Sequence, residues 1–160
     1  MTPTKLVFLT GLTAELIEEV LSYAPTDYQI VVLDKTSSEE ERITQAGDAD
    51  FLLCYRMDPS DDVLKSLKKC RLVQLLAAGY DRINLDILSK LEIPCSNNGG
   101  ANSWAVADQA VLLMLAVYKQ LLMSDASTRN GDWSKLITGQ NTFELAKKKV
   151  GVLGFGSIGR

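Results

Sequence analysis

Apolar residues in this chain fall into two kinds of run. Lys5-Leu-Val-Phe-Leu-Thr10, Tyr28-Gln-Ile-Val-Val-Leu33, Asp50-Phe-Leu-Leu-Cys-Tyr55, Leu72-Val-Gln-Leu-Leu76 and Ile93-Pro-Cys-Ser96 are short and nearly continuous. Such runs predict strands buried on both faces, with Pro94 suiting an edge position. Between them the apolar positions are spaced for helices. Leu16, Ile17, Val20 and Leu21 share one face of a helix that opens near Thr13 and closes before Pro25. A very acidic helix follows Ser37 or Ser38 and runs through Gln45, with Gly47 beyond it. Glu39, Glu40 and Glu41 stand in its first turn, where carboxylates suit the helix dipole. Consecutive helix positions point in different directions, so these three are read as a solvated face rather than a metal site. Ser60 caps a helix through about Leu67, and Ala77–Leu85 passes from a strand end through Gly79 into another helix. Strict alternation with short connections predicts an α/β fold with a doubly wound parallel sheet. Ligands of such sheets bind beyond the carboxyl ends of the strands. The candidates there are Thr10-Gly11, Tyr55-Arg56 and Ala78-Gly79-Tyr80.

The pattern changes after the turn Asn97–Ala101. From about Asn102 to about Arg129 the spacing predicts one long helix whose centre, Ala110–Tyr118, is apolar on every side. That run is too short to span a membrane. It is expected to be a buried central helix, covered by a second domain or a partner subunit. Gly131 marks its end, and the polar stretch Ser134–Thr142 reads as a crossing segment. The chain then reaches Val150, Val152 and Leu153, expected to form a short buried strand, and Gly154, Gly156 and Gly159, at G-x-G-x-x-G spacing. In a strand-to-helix turn the first glycine allows the tight bend. The second lets the backbone approach a pyrophosphate, and the third lets helix and strand pack closely. The helix N-terminus offers free N–H groups to the phosphates.

Composition adds limits. Of the 160 residues, 46% are hydrophobic and 23% charged, an ordinary globular balance. The net charge of −3 gives no footprint for nucleic acid. It is uneven: residues 1–62 carry −9 and residues 63–160 carry +6, so the candidate phosphate turn lies in the positive part. Cys54, Cys70 and Cys95 are widely spaced with no C-x-x-C pair, which argues against a disulfide framework or a zinc site and for a reducing compartment. No secretion signal is visible at the N-terminus, and a cytoplasmic location is expected. The sequence holds no histidine, so no histidine acid/base lies among these residues.

Four segments, in order, carry a resemblance. Leu76-Ala-Ala-Gly-Tyr-Asp-Arg-Ile-Asn84, Asn98-Gly-Gly-Ala-Asn-Ser-Trp-Ala-Val-Ala-Asp108, Gly131-Asp-Trp133 and Glu144–Arg160 resemble, respectively, the substrate loop, the start of the interdomain helix, the post-helix G-x-W and the cofactor fingerprint of the D-isomer-specific 2-hydroxyacid dehydrogenase family. The resemblance spans the chain and corresponds to the family's N-terminal portion. It implies a flavodoxin-like substrate domain at residues 1–101 and an interdomain and dimerisation segment at 102–147. The start of a Rossmann dinucleotide-binding domain follows at 148–160.

It also implies a hydride transfer between NAD or NADP and a small D-2-hydroxy or 2-keto acid, in a protein that is a homodimer when intact and engages neither nucleic acid nor membrane. The substrate carboxylate falls to backbone N–H groups at Ala78, Gly79 and Tyr80. Val106 falls beside the nicotinamide, and Gly154, Gly156, Ser157, Ile158 and Gly159 fall at the pyrophosphate. The family's catalytic arginine, histidine and histidine-orienting carboxylate lie further along its chain. Arg56, Arg82 and Arg129 do not occupy the arginine's position, so no catalytic residue and no metal ligand is assigned here, and the 160-residue chain alone is expected to be inactive. Asp108 stands where the family usually has glutamate, and Ala146 where glycine is common. Two other readings remain open: a nucleotide-sensing corepressor-like regulator of the same fold, and a stand-alone flavodoxin-like binding module. Against the second, Thr10-Gly11 stand where an acidic pocket would be needed.

Overall fold

The computed structural model describes residues 3–132 and 141–160. They form two compact units, residues 1–99 and 100–160.

The first unit alternates strand and helix as the apolar runs predict. It comprises β1 (Thr4–Thr10), α1 (Ala14–Leu21), β2 (Tyr28–Leu33), α2 (Glu39–Ala46), β3 (Phe51–Tyr55), α3 (Asp61–Ser66), β4 (Leu72–Leu75), α4 (Leu85–Lys90) and β5 (Cys95–Ser96). All strand pairs are parallel, in the order β2-β1-β3-β4-β5, which is the flavodoxin-like winding. The N-caps at Ser38 and Ser60 are real. Each side-chain oxygen accepts from a backbone N–H three residues on, Glu41 at 3.1 Å and Val63 at 3.2 Å. Thr13 occupies the N-cap of α1, yet its side chain makes no capping bond. Pro94 precedes the edge strand, and its carbonyl accepts from Val73 N at 3.0 Å, a role that needs no N–H.

Register explains the core. Val7 and Leu9 lie opposite Leu52 and Cys54, which in turn face Val73 and Leu75; Leu9 also faces Leu33. These side chains share one face and are buried with Val63, Leu64, Leu67 and Leu88 from the helices α3 and α4 and the turn after α3. On the other face only Phe8 and Thr10 are sealed, while Phe51, Leu53, Tyr55 and Gln74 are half-buried. At the amino edge of the sheet, buried Lys5 is held by Gln45 Oε1 at 2.9 Å and by the Asp48 carboxylate, and its N–H donates to Asp50 Oδ2 at 2.8 Å. Cys54, Cys70 and Cys95 are free thiols.

The second unit departs from expectation in two places. The long helix is two helices, α5 (Ser103–Tyr118) and α6 (Leu121–Arg129), bent by 64°. Gln120 adopts a left-handed conformation at the break (φ 48°). The cause is tertiary: Phe143 N donates to the Tyr118 carbonyl at 2.9 Å, Gln120 Nε2 to the Asn141 carbonyl at 2.5 Å, and the Tyr118 and Phe143 rings meet edge to face. These contacts satisfy the carbonyl and the polar side chain at the break. Within this chain the helix's apolar side chains are uncovered: Val111–Leu115 are substantially exposed, Val117 is 72% exposed and Leu122 85%. No single helix among the described residues is long and apolar enough to cross a membrane.

The second departure is the final strand. Val150, Val152 and Leu153 are exposed and form no strand. A parallel strand takes all its backbone hydrogen bonds from neighbours, and none of the described residues after Ser96 forms a strand that could supply them. The G-x-W motif and the crossing segment fall largely on residues 133–140, outside the described residues.

Candidate functional site

Three strand ends were candidates, and the structure separates them. In a 2-1-3-4-5 sheet the switch point lies between the ends of β1 and β3. Here it is closed by backbone. Gly11 N donates to the Tyr55 carbonyl at 3.0 Å, and a Cβ on Gly11 would stand 2.6 Å from the Arg56 carbonyl oxygen. The open space lies one strand over. A cleft of about 350 Å³ separates the end of β3 from the end of β4, with Tyr55, Arg56, Asp58, Gly79, Tyr80 and Arg82 among its walls. Tyr55-Arg56 and, from the loop after β4, Ala77, Gly79, Tyr80, Asp81, Arg82 and Ile83 line this one cleft, whereas Ala78 and Thr10-Gly11 are not among its walls.

Three features define this cleft. First, the N–H groups of Ala78, Gly79 and Tyr80 donate to no other described residue, so three consecutive donors are free for a ligand. The loop is nevertheless fixed from behind. Asn97 Nδ2 donates to the Ala78 carbonyl at 2.7 Å, Asn98 N to the Ala77 carbonyl at 3.0 Å, and Ile83 N to the Tyr80 carbonyl at 3.2 Å. Second, Gly79 has no positive φ, and a Cβ there would find only Asp81 Oδ2, at 4.0 Å. Folding therefore does not demand glycine at this position. Third, the cleft's charges are unevenly neutralised. Arg82 Nη1 lies 3.7 Å from Asp58 Oδ2, whereas Arg56 has no carboxylate within ion-pair distance among the described residues and sits 5.7 Å from the Tyr55 ring centroid. Arg56 also adopts φ 56°, in the left-handed region that a residue with a Cβ visits only at a cost. At the cleft's floor, burial pushes the Cys54 thiol far above its usual range. It is a packed apolar group and not a nucleophile.

The remaining predicted positions lie in the second unit. Val106 is in the first turn of α5, half-exposed, with its N–H bonded to the Asn102 carbonyl at 3.0 Å. Gly154 has φ 90°, so the tight bend is formed, and Arg160 N reaches the Gly156 carbonyl at 3.2 Å. A Cβ on Gly159 would stand 2.1 Å from the Gly154 carbonyl oxygen, while one on Gly156 would meet nothing within 4 Å. Ser157 and Ile158 lie in the turn between, both with backbone N–H groups that no described residue accepts. Among the described residues there is no cluster of ligands able to hold a metal ion.

The first unit is a doubly wound α/β domain, and a glycine-rich turn closes the chain. The chain belongs to the D-isomer specific 2-hydroxyacid dehydrogenase family, matching its catalytic domain over residues 7–150. It is 31% identical over 155 residues to the glyoxylate reductase of Aeropyrum pernix, covering 92% of this chain and 46% of that one. With D-3-phosphoglycerate dehydrogenase of Escherichia coli it shares 26% identity over 157 residues, 97% of this chain and 37% of the relative. Among solved structures, the PH0520 protein of Pyrococcus horikoshii matches with TM-score 0.69 and 30% identity, over 99% of this chain and 47% of that one. An acyclic imino acid reductase in complex with NADPH and D-Arg has the same fold (TM-score 0.75, 23% identity, 98% and 50% covered). The chain thus spans about half the length of the relatives it matches, or less.

Proposed function

We propose that this chain is the substrate-binding half of an NAD(P)-dependent oxidoreductase that moves a hydride between a nicotinamide and a small D-2-hydroxy or 2-keto acid. The observation that carries the reading is the loop after β4: three free, consecutive N–H donors at Ala78, Gly79 and Tyr80, pinned by Asn97 and Asn98, on the rim of a cleft at the carboxyl edge of the sheet. Fixed backbone donors hold a carboxylate without flexible side chains, and so orient its C2 atom for transfer. Glycine at position 79, unneeded by the backbone, leaves room for the acid to approach.

On this reading residues 1–101 form the substrate domain, residues 102–147 an interdomain and dimerisation segment, and residues 148–160 the start of the dinucleotide-binding domain. The nicotinamide cofactor, NAD or NADP, supplies the hydride chemistry when bound. Gly154, Gly156, Ser157, Ile158 and Gly159 hold its pyrophosphate, with Val106 beside the ring. The apolar side chains exposed along α5 suit cover by a second copy in the intact protein, which is taken to be a cytoplasmic homodimer. The acid/base chemistry requires groups that none of these residues supplies, so the 160-residue chain does not oxidise NADH or NADPH by itself.

The test is a titration of the isotope-labelled chain with D-lactate and with oxamate, an unreactive analogue of a 2-keto acid. The expected result is saturable movement of the Ala78, Gly79 and Tyr80 amide resonances with both. Movement confined to other residues, or none at tens of millimolar ligand, overturns the assignment. Turnover of NADH with glyoxylate by this chain alone contradicts the proposed division of labour.

A further inference from the structure

The dipeptide Asn-Gly occurs twice in this chain, at Asn98-Gly99 and at Asn130-Gly131. Asparagine is a thermolabile residue, because its side-chain carbonyl carbon can be attacked by the backbone nitrogen of the next residue. Glycine in that next position favours the attack, since it has no Cβ to obstruct the approach and its backbone turns freely. Both pairs are exposed, so access to water does not separate them. Hydrogen bonding does. Gly131 N donates to the Thr128 carbonyl at 3.1 Å, and the N–H groups on either side of it are tied as well, Asn130 N to Ala126 O at 3.1 Å and Asp132 N to Ser127 O at 3.0 Å. Gly99 N, in contrast, donates to no described residue, and the Asn98 side chain bonds to none. The residue that follows is again glycine, Gly100, at φ 86°. The neighbouring asparagines are guarded. Asn98 N, the nitrogen that would attack Asn97, is bonded to the Ala77 carbonyl at 3.0 Å, and Ser103 N, next to Asn102, to the Gly100 carbonyl at 3.1 Å. In this segment Asn98 is therefore the asparagine whose attacking nitrogen is unengaged.

We propose that Asn98 is a site of spontaneous deamidation, and that the change loosens the loop after β4. The Gly99 nitrogen attacks Cγ of Asn98. The N–Cγ bond forms, the Cγ–Nδ2 bond breaks, and the Gly99 N–H proton leaves with the amide group as ammonia. Water then opens the five-membered imide at either carbonyl, giving aspartate or isoaspartate. No electrons are transferred, and water is the only co-reactant. Both products place a carboxylate at position 98 where a neutral amide stood. Isoaspartate also adds one methylene to the main chain between residue 98 and Gly99. The position is a sensitive one. Asn98 N holds the Ala77 carbonyl, Asn97 Nδ2 holds the Ala78 carbonyl at 2.7 Å, and the Asn97 amide rests against Gly99, its Oδ1 3.5 Å from where a Cβ would stand. Displacing Gly99 removes the surface that seats Asn97. A new negative charge beside these contacts also opposes the approach of an anion. The consequence for binding rests on the placement of the substrate carboxylate at Ala78–Tyr80; the modification itself does not.

The test is to incubate the chain in mildly alkaline buffer, folded and in concentrated urea, and to map its peptides by mass spectrometry with isoaspartate resolved from aspartate. In the folded chain both products are expected at position 98 about fivefold faster than at position 130, the factor by which one hydrogen bond of ordinary net strength restrains the Gly131 nitrogen. In urea the two rates should converge, because the difference lies in the fold and not in the dipeptide. Gly99→Ala is expected to slow the reaction at 98 and to leave that at 130 alone. The aged chain is separated by anion exchange through its extra negative charge. Without ligand its Ala77 and Ala78 amide resonances should be displaced from those of fresh chain, and it should bind D-lactate about threefold more weakly, the effect of one exposed charge. The site is refuted if position 130 reacts as fast as position 98 in the folded chain, if the difference persists in urea, or if aspartate forms at 98 without isoaspartate. Unmoved Ala77 and Ala78 resonances in the aged chain refute the effect on the loop. If fresh chain binds no D-lactate, the placement of the substrate carboxylate has failed, while the peptide maps and the ligand-free spectra still decide the proposal.

Discussion

Gly79→Ala separates a glycine kept for folding from one kept for a ligand. The backbone at Gly79 is outside the left-handed region, and the nearest atom to an added Cβ is the Asp81 carboxylate oxygen at 4.0 Å, an ordinary contact. No steric cost to folding arises from these distances. Alanine also narrows the unfolded ensemble, so the variant should be unchanged or stabilised by about 0.5 kcal/mol. Binding should respond in the opposite sense. A methyl group beside the donor triplet intrudes where the acid approaches, and loss of one charge-assisted hydrogen bond is worth about 1.5–3 kcal/mol, or roughly tenfold or more in affinity. Urea unfolding followed by far-ultraviolet circular dichroism gives the first quantity, and titration of the Tyr80 amide with D-lactate the second. A variant destabilised by more than about 1 kcal/mol that binds D-lactate normally would refute the reasoning, because glycine would then be serving the turn.

The other predictions concern the scaffold and the second site. Leu52 is sealed between Val7 and Val73 in register, so Leu52→Ala should cost about 3 kcal/mol, read as a lower urea midpoint at unchanged slope. Asp50 is held below its ordinary value of 3.8, first by the backbone N–H of Lys5 and then by Lys69. Its depressed value means that its contribution is present above 3.8 and is lost as pH falls through the folded-state value. The urea midpoint should fall on acidification below that point, and less steeply in Asp50→Asn. For the glycine turn, Gly156→Ala should leave the urea midpoint unchanged, since nothing lies within 4 Å of its Cβ; Gly159→Ala should disturb the turn itself, since its Cβ would stand 2.1 Å from the Gly154 carbonyl oxygen.

What could be read from residue order alone follows from the range of the forces involved. Strands β1 to β4 were legible because each is a continuous apolar run, and the caps at Ser38 and Ser60 because a cap is a bond between residues three apart. The helix from Ser103 was legible as apolar, but its break was not. Lys119 and Gln120 are ordinary helix formers, and the bend is fixed by Asn141 and Phe143, over 20 residues away. The run Val150–Leu153 has the composition of a strand and lacks the neighbours that make one. In the cleft, the donor loop was visible through its glycine and its position after β4. The left-handed conformation at Arg56 was invisible, because nothing in residue order marks a residue with a Cβ for it.

The most direct measurement is a crystal structure of the chain grown with saturating D-lactate. The account predicts a carboxylate oxygen within about 3 Å of the Gly79 and Tyr80 nitrogens, in the cleft between the ends of β3 and β4. A carboxylate bound anywhere else, with those two N–H groups facing only water, contradicts it.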